Sequence, residues 1–205
     1  MTRYFPKEAI ILGAGIGLLY LNWFSPIFED PMLFVLSTLF YLLVIPIAII
    51  SLLGGNLRDF GFCKEWHWPF SRRITVLTGL FILSVLVLAS LLPQFQNYYI
   101  TKLPATDGWR AFFIIVVFGL YLFAWEFFFR GFLLFSLVPR FGVYAIVIHA
   151  VLFTGMHITK PPLELALSLP GGLLLECVAY RCNSFLPSFL IHWTMNVILK
   201  VLIVI

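Results

Sequence analysis

The sequence predicts an all-α, polytopic integral membrane protein, a bundle of about seven transmembrane helices. Of its 205 residues, 62% are hydrophobic and only 11% are charged, and the mean hydropathy is +1.04. A soluble domain has roughly a quarter of its residues charged, so this chain lacks the polar residues to cover a solvated surface. Its apolar segments are also about as long as a bilayer is thick.

Seven apolar segments are long enough to cross a bilayer, which takes roughly 20 helical residues. Short stretches rich in Pro, Gly and charged residues separate them. We expect one membrane domain over residues 1–205, with no separate soluble domain. The predicted spans are residues 8–25, 32–54, 74–93, 111–138, 141–159, 163–181 and 184–204.

The distribution of basic residues predicts a multi-pass cell-membrane protein with a cytoplasmic N-terminus. In that orientation the connection 55–73 is cytoplasmic, and its Trp66, Trp68 and Phe70 predict that it lies along the membrane interface. No basic run with interleaved aromatic residues indicates nucleic acid, so the bilayer is the partner that composition predicts. Four basic residues fall on the outer side or at its edge: Lys102, Arg110, Lys160 and Lys200.

Ionisable side chains at membrane depth are costly, and they usually mark functional sites. Glu164 and Lys200 lie near span ends, where we expect them to snorkel to the interface. His149 is interpreted as a core residue or as part of an intramembrane cavity that the polar residues would line. Glu176 is open to pairing with Arg181 or His149. The polar residues inside the spans are Glu126, Arg130, His149, His157, Glu176, His192 and Asn196.

Two pairs of these residues are spaced by four, which places each pair on one helix face. Glu126 and Arg130 form the first pair, and His192 and Asn196 form the second. Each pair alone fits a structural role equally well. At ~1.5 Å per residue, however, Glu126, His157, His192 and Asn196 lie within about two turns of each other in depth. Three helices could thus bring together groups sufficient for water activation and oxyanion stabilisation.

Three sequence motifs resemble those of the CPBP family, also called Abi, whose members include the CAAX prenyl endopeptidases. WEFFFRG at 125–131 resembles the family's E-E-x-x-x-R, FTGMH at 153–157 its F-x-x-x-H, and HWTMN at 192–196 its H-x-x-x-N/D. LRDFGF at 57–62 also fits, and the resemblance covers about residues 55–200. It implies an intramembrane endopeptidase that needs no cofactor and takes a peptide or protein substrate from the membrane.

The resemblance also implies a role for each motif residue. Glu126 and His157 would hold a water molecule, and the Glu126 carboxylate would take its proton. His192 and Asn196 would donate hydrogen bonds to the oxyanion, while Arg130 would orient Glu126.

One position departs from the family pattern, because Trp125 replaces the first Glu of the E-E pair. Adjacent helical positions point about 100° apart, so Glu126 does not simply inherit that place. Glu126 could act as the base in a changed geometry, the fold could persist without activity, or a kink permitted by Gly131 could re-aim the side chain. Trp125 would shape the cavity or face lipid. Glu176 is a further candidate to replace the missing Glu.

Three other functions stay open at this point. Glu126, His157 and His192 are acceptable zinc ligands, although no H-E-x-x-H motif supports a metalloprotease. An inert family relative could act as a membrane scaffold or bacteriocin-immunity protein. A transporter would also carry intramembrane charges, but the chain lacks two matching halves with broken spans.

Overall fold

The computed structural model describes residues 7–28, 30, 33–62, 68–104 and 107–204, and these residues contain helices and no strand. The predicted all-α membrane bundle is therefore confirmed. The helices are α1 (Lys7–Phe24), α2 (Phe34–Leu52), α3 (Trp68–Ser90), α4 (Pro93–Ile100), α5 (Gly108–Phe141), α6 (Tyr144–Gly155), α7 (Pro162–Cys182) and α8 (Leu186–Val204).

Within the described residues, four helices are long and apolar enough to cross a membrane: α2, α5, α7 and α8. Helices α3 and α4 meet at 91° and could together form a fifth span. Pro93 at the start of α4 explains the bend, because it cannot continue the helix and leaves Leu92 extended. Helices α1 and α6 are apolar but shorter. All seven predicted segments are helical, and seven crossings remain a prediction.

The predicted interfacial segment 55–73 is only partly described. Residues 55–62 are placed, and α3 begins at Trp68, while Trp66 and the side chains of Trp68 and Phe70 lie outside the described part. Its interfacial position therefore stays a prediction.

Helix α5 forms the centre of the bundle. Its backbone departs from α-helical geometry in two segments. Phe113–Val117 and Phe127–Leu133 are π-helical, with wider turns closed by i→i+5 hydrogen bonds. The second segment begins directly after Glu126 and contains Arg130 and Gly131. Its Phe side chains are fully buried. The first motif, residues 125–131, therefore lies mostly in a π-helical segment and not in a regular α-helix.

Gly131 allows residues 60–61 to pack tightly against α5. A Cβ atom there would lie 2.7 Å from Phe127 Cδ2 and 2.8 Å from the Phe60 carbonyl oxygen. Gly61 follows with a φ of +83°, and its carbonyl accepts a 2.8 Å hydrogen bond from Ser184 Oγ. The LRDFGF segment thus ties α5 to the turn between α7 and α8.

We expect Gly131→Ala to destabilise the protein by about 1–3 kcal/mol, because backbone and a buried ring obstruct the added methyl group. Gly17→Ala in α1 is the matched control, since nothing lies within 4 Å of its added Cβ. That change should be neutral or stabilise the helix by up to about 1 kcal/mol. Thermal unfolding in detergent measures both, and equal melting temperatures would contradict the packing argument.

Candidate active site

Glu126 is the centre of a buried hydrogen-bond network between α5 and α8. Its Oε1 accepts a 2.7 Å hydrogen bond from Arg130 Nη1, one turn further along α5. The same oxygen lies 2.6 Å from His192 Nδ1 on α8. Glu126 and Arg130 are both 0% exposed. The first and third sequence motifs therefore meet directly.

The approach of α8 to α5 depends on a small residue. A Cβ on Gly119 would lie 2.9 Å from Trp193 Nε1, so a larger side chain would separate the helices. The same indole nitrogen donates to the Ile115 carbonyl at 3.1 Å, within the first π-helical segment of α5. This contact holds α8 against α5 one residue from His192, so that the His192 imidazole lies next to Glu126.

The second motif reaches the others through a cavity of about 130 Å³. His157, His192 and Asn196 line it, together with mostly apolar side chains of α3 and α7. The Phe153 ring separates the two imidazoles, with centroid distances of 4.5 Å to His157 and 6.2 Å to His192. Glu126 is not among the lining residues and connects to the cavity through His192.

Hydrogen bonds define how His157 and Asn196 face this cavity. His157 Nδ1 lies 2.9 Å from the Phe153 carbonyl, so Nδ1 carries the proton and Nε2 is the acceptor in the neutral ring. Asn196 Oδ1 accepts from Lys200 Nζ at 3.2 Å, and Nδ2 donates to the His192 carbonyl at 3.0 Å. The amide keeps a second N–H to donate.

Lys200 does not snorkel to the interface as the sequence predicted. It is 3% exposed and lies over the Phe118 ring, 3.5 Å from the ring centroid. Packing between α5 and α8 covers its side chain, and Asn196 accepts a hydrogen bond from its Nζ.

A second carboxylate reaches Arg130 from the opposite side. Glu176 on α7 forms an ion pair with it, with Oε1 3.3 Å from Arg130 Nε. His149 Nδ1 on α6 lies 3.4 Å from the same oxygen, and Glu176 and His149 are 0% exposed. The sequence predicted the His149 contact as one alternative but missed the contact with Arg130. Helix spacing cannot reveal a pairing between helices that are distant in sequence.

The buried cluster contains two carboxylates and one guanidinium, with an imidazole on either side. A net charge in a medium of low polarity is very unfavourable, so ion pairs and hydrogen bonds must compensate it. One additional proton, held by an imidazole or a carboxylate, makes the cluster neutral.

Trp125 is buried in the aromatic core beside Glu126. It is 6% exposed, so the expectation that it could face lipid is wrong. Its ring stacks on Phe129 with a centroid distance of 5.3 Å and an interplanar angle of 6°. It is also not among the residues that line the cavity. The indole occupies the apolar space between α5 and its neighbours.

The described residues contain no group of three or more His, Cys, Asp or Glu side chains that could hold a metal ion. Glu126 and His192 are in direct contact, whereas Nδ1 of His157 bonds to the Phe153 carbonyl oxygen. The zinc alternative therefore remains a question for elemental analysis.

Comparison with protein families adds an independent observation. Residues 107–198 match the family model described as type II CAAX prenyl endopeptidase Rce1-like. Over this region the chain is similar to the Rce1-like family. The Rce1-like region covers a little under half of the chain and includes all five predicted site residues, Glu126, Arg130, His157, His192 and Asn196.

The match confirms the family resemblance that the three motifs predicted. Members of the Rce1-like family are polytopic membrane helical bundles. The match therefore supports the assignment of a membrane protease of the CAAX type, without identifying its catalytic residues. Neither the curated proteins nor the solved structures contain a match to this chain.

Proposed function

We propose that the protein is an intramembrane endopeptidase that cleaves a peptide or protein substrate within the bilayer, with its N-terminus in the cytoplasm. Glu126 and His157 activate the water, and His192 and Asn196 stabilise the oxyanion. Arg130 orients Glu126 and does not react. No cofactor takes part.

The observation that supports this proposal most strongly is the position of Glu126. Its carboxylate is fully buried and held at one oxygen by both Arg130 and His192. His192 lines the same cavity as His157 and Asn196. A structural ion pair would need Arg130 alone, whereas the additional contact connects the carboxylate to a cavity with polar donors and acceptors.

In the proposed reaction, the water oxygen attacks the carbonyl carbon of the scissile amide while its proton passes to Glu126. Glu126 does not line the cavity, so the reaction requires the attacking water to enter the space next to His192 and reach Glu126 Oε2, which has no hydrogen-bond partner among the described residues and takes this proton. His157 Nε2 accepts a hydrogen bond from the water's other O–H group. Asn196 Nδ2 donates to the tetrahedral oxyanion, and so does His192 Nε2, which carries a proton when the ring is the imidazolium whose Nδ1–H is bonded to Glu126. The C–N bond then breaks, and the stored proton passes to the leaving amine.

A catalytically inert membrane scaffold or bacteriocin-immunity protein is the second candidate. The buried Trp125 favours it, because an indole stacked on Phe129 occupies the position of the family's first Glu. In that case Glu126, Arg130 and Glu176 would serve only to hold α5 and α7 together.

Elemental analysis tests the zinc alternative to this mechanism. We expect purified, active protein to contain far less than one zinc ion per chain. It should also keep its activity after treatment with a chelator. A stoichiometric metal, with activity that falls as it is removed, would replace water activation by Glu126 with metal catalysis.

We expect His157→Ala to lower turnover by about 10²–10⁴-fold, the usual contribution of a positioned acid–base group. Thr154→Ala is a control three residues earlier, where the hydroxyl only donates to the Ala150 carbonyl. Its turnover should stay within about threefold of wild type, since exposed or local polar contacts contribute little. Peptide cleavage in detergent measures both variants. Similar rates for the two variants would exclude His157 from the mechanism.

A further inference from the structure

Three of the chain's five lysines line one large cavity at the end of the bundle where α5 begins. The cavity has a volume of about 830 Å³. Its described lining residues include no Asp or Glu. Lys102 follows α4, Lys160 precedes α7, and Lys200 lies in the last turns of α8. Helix ends that are far apart in sequence thus place positive charge at one edge of the membrane.

Lys200 is a buried amine without a carboxylate partner. Among the described residues it makes a hydrogen bond to Asn196 and lies over the Phe118 ring, but it forms no ion pair. An ammonium group has three N–H donors, so two remain. A buried charge without a counter-ion is unfavourable. An anion in the cavity would supply both the missing charge and the missing acceptors.

The other two lysines leave the cavity positive. Lys102 Nζ donates to the neutral Tyr98 hydroxyl at 2.8 Å. Lys160 lies 3.6 Å from Glu164, whose other oxygen accepts a 2.5 Å hydrogen bond from the Tyr99 hydroxyl. When Lys200 is protonated, three positive charges face the one negative charge of Glu164, and a ligand with one or two negative charges would balance them.

The cavity wall indicates what kind of anion this is. Trp23 and Trp109 line it and are 41% and 61% exposed, as expected for the aromatic belt at a membrane interface. The adjoining surface of α5 exposes the apolar side chains of Phe112, Ile115 and Val116. A headgroup in the cavity would leave its acyl chains lying on this surface.

We propose that the lysine cavity binds the phosphate headgroup of an anionic phospholipid. Basic pockets between transmembrane helices bind such headgroups through their ammonium groups. The proposal does not depend on proteolysis, because the ligand contacts the outer ends of α4, α7 and α8. Binding can therefore be measured on protein without any peptide substrate.

The test measures the melting temperature of the purified full-length protein in neutral detergent while dioleoyl phosphatidylglycerol is titrated. Dioleoyl phosphatidylcholine gives the headgroup comparison. The variant is the double substitution Lys102→Gln with Lys160→Gln, which keeps the buried Lys200. At about one kcal/mol for each lysine, we expect its apparent affinity for phosphatidylglycerol to fall roughly 30-fold.

The matched control is Arg58→Gln with Arg140→Gln, which removes two exposed positive charges at the opposite end of the bundle. We expect it to change the affinity by about threefold at most, because screened charges that far away act weakly. Equal losses in the two double variants, or equal stabilisation by the two lipids, would overturn the proposal. Equal stabilisation by glycerol phosphate, or by a soluble acidic peptide, would show that the occupant is not a lipid.

Discussion

Glu126→Gln is expected to abolish peptide cleavage while the protein remains folded. We expect turnover to fall by about 10²–10⁴-fold, because an amide cannot take the proton of the attacking water. Gln has nearly the same shape, and its carbonyl oxygen can still accept from Arg130 and His192, the two groups that Glu126 contacts. Cleavage of a peptide library, followed by mass spectrometry, measures the loss.

Asp59→Asn is the control for this change, since it makes the same carboxylate-to-amide substitution at an exposed residue. We expect its turnover to stay within about threefold of wild type, as is usual for surface substitutions. Glu126→Gln protein should elute as wild type does and keep a cooperative unfolding transition. Retained cleavage in that folded variant would remove Glu126 from the role of base.

Arg130→Met is expected to have the largest effect on stability. It leaves Glu126 and Glu176 buried with no guanidinium between them, although each lies within 3.3 Å of that group in the native protein. Breaking a buried ion pair by removing one partner usually costs about 3–5 kcal/mol. Methionine keeps much of the apolar volume, so the loss of charge dominates. Thermal unfolding in detergent measures the effect.

A double substitution separates charge from packing in this cluster. Adding Glu176→Gln to Arg130→Met removes one of the two uncompensated carboxylates, so we expect it to recover at least about 1 kcal/mol. Glu176→Gln alone should destabilise, because Arg130 and His149 both lie against that carboxylate. If the double variant is less stable than Arg130→Met by the full cost of Glu176→Gln, the two residues are not coupled.

The two predictions separate catalysis from folding. Glu126→Gln keeps the hydrogen-bond geometry and removes the proton acceptor, whereas Arg130→Met removes the counter-charge and disturbs the helix packing. An inert scaffold would lose stability in Arg130→Met, as a protease would. It would have no turnover for Glu126→Gln to remove. Cleavage by the wild-type protein that is lost in Glu126→Gln therefore distinguishes the two proposed functions.

Local sequence was sufficient to predict some features of the site. The spacing of four residues predicted the contact of Glu126 with Arg130, and the motifs placed His192 and Asn196 on one helix near them. Helical rise alone predicted similar depths for these groups. These features depend on geometry within one helix, which the sequence determines directly.

Features that depend on packing between helices could not be predicted in this way. Glu176 reaches Arg130 from α7, and Lys200 is buried because α5 covers it, although it lies near a helix end. The π-helical turn after Glu126 also has no simple sequence signal. It changes the direction of the side chains that follow Glu126, whereas Trp125 and Glu126 themselves belong to the preceding α-helical segment.

The most direct test of the central claim is whether the wild-type protein hydrolyses peptide bonds. The purified chain, reconstituted in lipid nanodiscs, would be incubated with a broad peptide library in water enriched in oxygen-18, and the products identified by mass spectrometry. The proposed mechanism predicts new C-termini that carry one heavy oxygen, produced by wild type and not by Glu126→Gln. Products at the same level from Glu126→Gln, or no labelled product from the folded wild type, would contradict it.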